Sequence, residues 1–175
     1  MRKSRRRVGR GVCLAVVVLV LSAGVASGRI RTLPIPELIA QSDFIVVGRV
    51  GEVKKTGEVP KGGGRAEETL ENTVLPKEVL KGRWPKGKPM HFTTRRLVHK
   101  GKRVWREDEL TFPETGSGVL VFVKRDPEGR LRIVNGIQGL WPMGKDGRPM
   151  GMGYGYTVEG LKREIAGSLP GGGLR

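Results

Sequence analysis

Phe44-Ile45-Val46-Val47-Gly48-Arg49-Val50-Gly51-Glu52-Val53 is the clearest strand in this 175-residue chain. It begins as a continuous apolar run and continues as an alternation of Val50 and Val53 with polar or glycine positions, the period of a strand. Gly48 and Gly51 inside it predict a bulge or sharp bend, as small barrels need at their corners. Val119–Val123 (VLVFV) reads as a buried strand that returns through the turn Asp126-Pro127-Glu128-Gly129 into Leu131–Val134. Between these, Glu68–Leu75 reads as a strand stopped by Pro76, which has no N–H to give a ladder. Glu78–Gly82 then re-enters the sheet, and Met90–Thr94 alternates. Leu97–Trp105 reads as a hairpin turning at Lys100-Gly101, and Gly139–Met152 as one turning at Asp146-Gly147. Lys54–Ala66 (KKTGEVPKGGGRA) has no periodicity and reads as a flexible loop.

Helical signals are confined to the two ends. Pro34–Ser42 reads as a short helical turn with Leu38 and Ile39 facing inward. Thr157 is placed to cap a helix running to about Ala166, with Val158, Leu161, Ile165 and Leu169 on one stripe that docks on the barrel. The fold class is therefore mainly β: a small antiparallel OB-like barrel of about six strands, with a short N-terminal helical turn and one C-terminal helix covering an opening. Val47, Val50, Leu120, Phe122 and Leu161 are expected to be buried.

Ahead of this domain, six cations within Arg2–Arg10 lead into the apolar run Val12–Leu21 and the small residues Ser22–Gly28. That order is a cleavable secretory signal over residues 1–28, cut near Ala26 or Gly28. An uncleaved anchor needs about 20 apolar residues, twice what Val12–Leu21 offers. Ser4–Val8 partly matches a twin-arginine signal, and Cys13 lies at the start of the apolar run instead of following it, which is the wrong place for lipidation. The domain then spans 29–169, with 170–175 a disordered tail. Export implies a secreted or periplasmic protein. Cys13, the only cysteine, leaves with the signal, so the mature chain has no thiol, disulfide or cysteine-ligated metal. That absence suits a bacterial envelope better than disulfide-rich extracellular modules. Of 33 basic residues 27 remain against 17 acids, a net +10 that favours anionic partners.

Ala40-Gln41-Ser42-Asp43-Phe44-Ile45-Val46-Val47-Gly48-Arg49-Val50, then Glu78–Gly82 and Gly118–Phe122, resemble small exported bacterial proteins with an OB-like barrel. The rhythm is similar to that of netrin-like and tissue-metalloprotease-inhibitor modules, over about Pro34 to Gly136. The resemblance implies the barrel. It does not carry inhibition over, because those inhibitors chelate zinc through an amino-terminal cysteine that this mature chain lacks.

Catalytic signatures are absent. Gly139–Lys145 spells a phosphate-loop pattern, but Asp146 replaces the hydroxyl residue and a turn replaces the helix. Phe112–Gly116 differs by one residue from a cell-wall sorting pentapeptide and lies far from the C-terminus. His91 and His99 are the only histidines, too few for a metal site. Glu67-Glu68 and Glu107-Asp108-Glu109 read as acids solvating loops. No catalytic residue, cofactor or metal is predicted. The constellation that remains is cations beside aromatics: Arg83, Trp84, Lys86, Arg95, Arg96, Arg103, Trp105 and Arg106. OB-type barrels bind oligonucleotides or oligosaccharides in this way. The chain is expected to be a non-catalytic exported binding module whose partner is an anionic polymer or another envelope protein. A secreted protease-inhibitor-like protein and a cryptic hydrolase are the alternatives.

Intact mass of protein from the extracytoplasmic fraction should correspond to a chain beginning at Ser27 or Arg29. A mature species retaining Met1–Leu21 overturns the signal reading.

Overall fold

The two apolar runs become neighbouring central strands of one antiparallel sheet. β1 (Phe44–Gly62) pairs with β5 (Gly118–Arg125) from Phe44↔Val123 to Arg49↔Gly118. The computed structural model describes residues 32–106 and 109–168, so the predicted signal segment and C-terminal tail lie outside the described residues. β2 (Arg65–Lys81), β3 (Met90–His99) and β4 (Lys102–Val104) follow as a meander on one side of β1. β6 (Leu131–Ile133) and β7 (Leu140–Pro142) share the far edge of β5, giving the order β4-β3-β2-β1-β5-β6. The sheet curls until β6 approaches β3 without exchanging ladder hydrogen bonds. The result is a six-strand antiparallel half-barrel, with the short helix α1 (Ile35–Ala40) at one end of the chain and α2 (Val158–Ser168) at the other.

Alternation in β1 and β5 sends side chains to two separate cores. Phe44, Val46, Val50, Val119, Val121 and Val123 point into the concave side with Val74, Met90, Phe92, Phe112 and Ile133. Ile45, Leu120 and Phe122 point to the other side, where Leu38 and Ile39 of α1, Leu161 and Ile165 of α2, and Trp141 cover them. Burial on both faces is why these two strands read as unbroken apolar runs, whereas β3 alternates Met90, Phe92 and Thr94 inward with exposed His91 and Thr93. Val50, Leu120, Phe122 and Leu161 are buried as expected, while Val47 is half-buried at the margin of the helix cluster. The C-terminal helix does not cover a barrel opening. It lies across the outer face, because that is where β1 and β5 present their second apolar row.

Lys54–Ala66 is not a loop. β1 and β2 continue as a hairpin through Lys54↔Glu71 to Gly62↔Arg65, turning at Gly62-Gly63-Gly64, all with positive φ. β5 stops at the level of Arg49, so β1 is an exposed edge strand from Lys54 to Gly62, while β2 stays paired with β3 as far as Arg65 and buries Glu68 and Leu70. Hydrophobic periodicity cannot report such an edge strand. Pro60 is tolerated because β1 is an edge strand there. Pro76 likewise does not end β2. It faces Gly48 at one of the register shifts in β1, and a Cβ on Gly48 would sit 2.6 Å from the Leu75 carbonyl oxygen.

Polar groups fix the ends. The Thr157 hydroxyl accepts from the Gly160 amide at 3.0 Å and caps α2. Lys81 Nζ donates to the carbonyls of Ile39 and Ser42 at 2.6 and 2.7 Å, closing the C-terminal end of α1. Buried Gln138 clamps Leu33, accepting from its amide at 2.9 Å and donating to its carbonyl at 2.6 Å. In the β5–β6 turn, burial opposes charge on Asp126. Hydrogen bonds from the Arg130 side chain and amide and from Arg132 outweigh it and hold the carboxyl at about 2. The Asp146-Gly147 turn forms as expected, with the Gly144 amide donating to Arg148 at 2.8 Å. Gly153 lies against the Trp141 ring, where a Cβ would be 2.5 Å from ring carbons.

Phe122 is fully buried, with its ring 4.8 Å from that of Trp141. Phe122→Ala should cost about 3–5 kcal/mol in equilibrium urea unfolding. A cost below about 1 kcal/mol contradicts this placement.

Candidate functional site

The strand register divides the cation–aromatic constellation into two groups. Arg83, Trp84 and Lys86 lie in the β2–β3 connection, beside the start of β1. Arg95 and Arg96 lie on β3, Arg103 on β4, and Trp105 and Arg106 just beyond it. Thr69 opposite Arg95 stands twelve residues along β2 from Lys81, so the groups are roughly 40 Å apart along the strand.

In the first group Trp84 is engaged in packing. Its ring meets Phe44 edge-on at 5.3 Å, its indole N–H donates to the Lys88 carbonyl at 2.8 Å, and the Arg125 guanidinium sits 5.6 Å from its ring centre. Arg83 and Lys86 are exposed beside it.

The second group is assembled by cross-strand pairing. Glu67 and Glu68 on β2 stand opposite Leu97 and Arg96 on β3. Arg96 Nε donates to Glu68 at 2.6 Å, and Lys55 reaches the same carboxylate at 2.8 Å from β1 while also contacting Glu58. Arg95 Nη1 lies 3.3 Å from Glu67 with its own side chain 73% exposed. Arg103 donates to Glu109 at 2.6 Å and to the Thr111 hydroxyl, and its guanidinium lies 3.8 Å above the ring of Trp105. Trp105 is 73% exposed. Beside it a cavity of about 250 Å³ is bounded by Arg95, Arg96, Arg106, Glu67 and Glu109.

These acids correct the sequence reading. Glu67 and Glu68 are strand residues facing arginines, and Glu109 is a buried partner of Arg103 whose second oxygen has no hydrogen-bond partner among the described residues. Residues 107 and 108 lie outside the described residues. The pairing of β2 with β3 places Glu67 and Glu68 among arginines, a register between strands that local periodicity does not give. Because the acids are internal partners, the surface is less cationic than a count of arginines suggests, and its members divide by role. Arg96 and Arg103 hold carboxylates. Arg95 and Trp105 face solvent.

His91 Nδ1 lies 3.6 Å from Glu71 and 3.5 Å from the Thr73 hydroxyl on the open face of β2–β3. Both contacts converge on one ring nitrogen, whereas a relay needs the acid and the nucleophile on opposite nitrogens. Among the described residues no group of three or more His, Cys, Asp or Glu is placed to hold a metal ion, and no helix is long and apolar enough to cross a membrane.

Comparison with known proteins adds no relative. No protein-family model matches the chain, and neither a curated protein nor a solved structure is significantly similar to it. Function is therefore argued from the site.

Glu68 supplies a pH-dependent element. Hydrogen bonds from Lys55, then Arg96, hold its carboxyl below the ordinary value of 4.5. A depressed native pKa stabilises the fold above the unfolded value, and the contribution is lost as pH falls through the native value. Thermal stability should thus decline as pH drops below about 4.5, and less steeply in Glu68→Gln. Equal declines in both proteins would show that the pair contributes nothing.

Proposed function

We propose that this chain is an exported, non-catalytic module that binds an anionic envelope polymer on the surface formed by β3, β4 and the residues that follow them. The n-region, apolar run and small-residue stretch support a secreted or periplasmic location, and the net +10 of the mature chain supports an anionic partner. Exposed Trp105 carries the reading. One face of its indole is taken by Arg103, which is held in turn by Glu109 and Thr111, so the ring is braced in the open. A large aromatic fixed at the surface beside cations is a stacking platform for a sugar or base. Arg95 supplies charge. Its contact with Glu67 is solvent-exposed, and such pairs are worth at most about 1 kcal/mol, so an anionic group displaces it cheaply. Arg96 and Arg103 act as positioning residues, and Arg83, Trp84 and Lys86 lie too far away to join the same short ligand. The likeness to netrin-like modules concerns the barrel alone in this reading.

A polyuronic acid or a sulfated polysaccharide serves as probe for the purified mature protein. Binding should weaken steeply as salt rises past about 0.15 M, where the screening length is about 8 Å. Trp105→Ala should weaken it about tenfold, the value of one stacking contact. Arg95→Glu should act similarly and flatten the salt dependence, while Lys145→Ala should leave binding unchanged. No binding at low salt, or equal binding by all variants, overturns the proposal.

A further inference from the structure

We propose that a second site, separate from the Trp105 surface, binds a phosphate-bearing ligand in the trough where β1, β2, β5 and the β7 hairpin meet. A cavity of about 500 Å³ lies there, lined by Arg49, Lys77 and Lys145 together with Ser117, several glycines, Val47 and Met143.

Topology brings the three cations together from distant parts of the sequence. Arg49 on β1 stands directly opposite Gly118 on β5. Gly48 stands opposite Pro76, with Lys77 next to it on β2. The Met143 amide donates to the Gly118 carbonyl at 2.9 Å, and the chain then turns through Gly144 and Lys145. Gly118 makes this approach possible, since a Cβ there would lie 2.9 Å from the Met143 Cβ. Gly48, Gly116, Gly118, Gly144 and Gly147 leave backbone uncovered along the cavity, so a ligand can reach it.

The charge is uncompensated. No carboxylate lines the cavity, and among the described residues the side chains of Arg49, Lys77 and Lys145 have no ion pair or hydrogen bond. The acids next to them in sequence are committed elsewhere. Glu78 accepts from Lys162 at 2.7 Å, and Asp146 accepts from the Arg148 amide at 3.1 Å. This contrasts with the Trp105 surface, where Glu67, Glu68 and Glu109 answer the arginines. The Ser117 hydroxyl is half-buried in the same cavity and also has no partner among the described residues. A guanidinium fork, two ammonium groups and a hydroxyl are a donor set matched to a multiply charged tetrahedral oxyanion. The space exceeds that of one phosphate and admits a pyrophosphate or a phosphate ester with its substituent. This is not a phosphate loop, because Lys145 lies in a hairpin turn and no α-helix begins there.

The test uses the mature chain with two probes. Inorganic pyrophosphate is titrated calorimetrically, and phosphatidylglycerol vesicles are used in flotation against phosphatidylcholine vesicles. Lys77→Ala and Lys145→Ala should each lower affinity about tenfold, as for loss of a charge-assisted hydrogen bond. Arg49→Lys should lower it several-fold despite keeping the charge, because it loses the fork. These side chains are exposed, so melting temperatures should not change. Trp105→Ala and Arg95→Glu should leave this binding intact, which separates the failure of this site from failure of the polymer surface. Pyrophosphate binding that needs the lysines identifies a soluble phosphate ligand, whereas lysine-dependent flotation alone identifies a lipid headgroup. Either supports the proposal. If the wild type binds neither probe, or if binding survives loss of Lys77 and Lys145, it is wrong.

Discussion

The pairing of β1 with β5 is sandwiched between two cores, and the rest of the domain is arranged around that fact. Phe44, Val46, Val119, Val121 and Val123 fill the concave side while Ile45, Leu120 and Phe122 meet the helices and Trp141. A slip of one residue would exchange the two sets, so the register is specified from both faces at once. With no cysteine after residue 13, nothing covalent fixes it. The same register brings Arg49 level with Gly118 and, through β2, sets Glu68 opposite Arg96.

How much of this was legible follows from burial. FIVV and VLVFV announced themselves because both faces are dry, and β3 because one is. The Lys100-Gly101 and Asp126–Gly129 turns were readable from the residues that tolerate positive φ or supply a local carboxylate. The outer part of β1 was not, since Lys54–Gly62 is an exposed edge strand and carries no apolar period. Pro60 and Pro76 pointed away from the β1–β2 hairpin, yet each sits where no ladder N–H is required of it. The helix α2 was legible as an amphipathic segment, but its docking face was not, because periodicity does not say which side of a sheet a helix covers.

For the candidate site, composition located the arginines and tryptophans but not their partners. Sequence proximity grouped Trp84 with Trp105, whereas the meander places them far apart, one in packing and the other in solvent. Conversely, Lys77 and Lys145 are 68 positions apart in sequence and share a cavity. Charge counted along a β chain is a poor guide to charge on its surface, because neighbouring residues point to opposite faces and neighbouring strands come from distant segments.

The half-barrel leaves β4, β6 and the outer part of β1 as unpaired edges, where a second copy could add a strand; β4 and β6 are the two ends of the strand order. Both are only three residues long, and each carries basic side chains: Lys102 and Arg103 on one, Arg132 on the other. Arg103 holds Glu109 and Arg132 holds Asp126, so both edges end in ion-paired side chains rather than a bare ladder, and shortness combined with charge makes each a poor template for another strand.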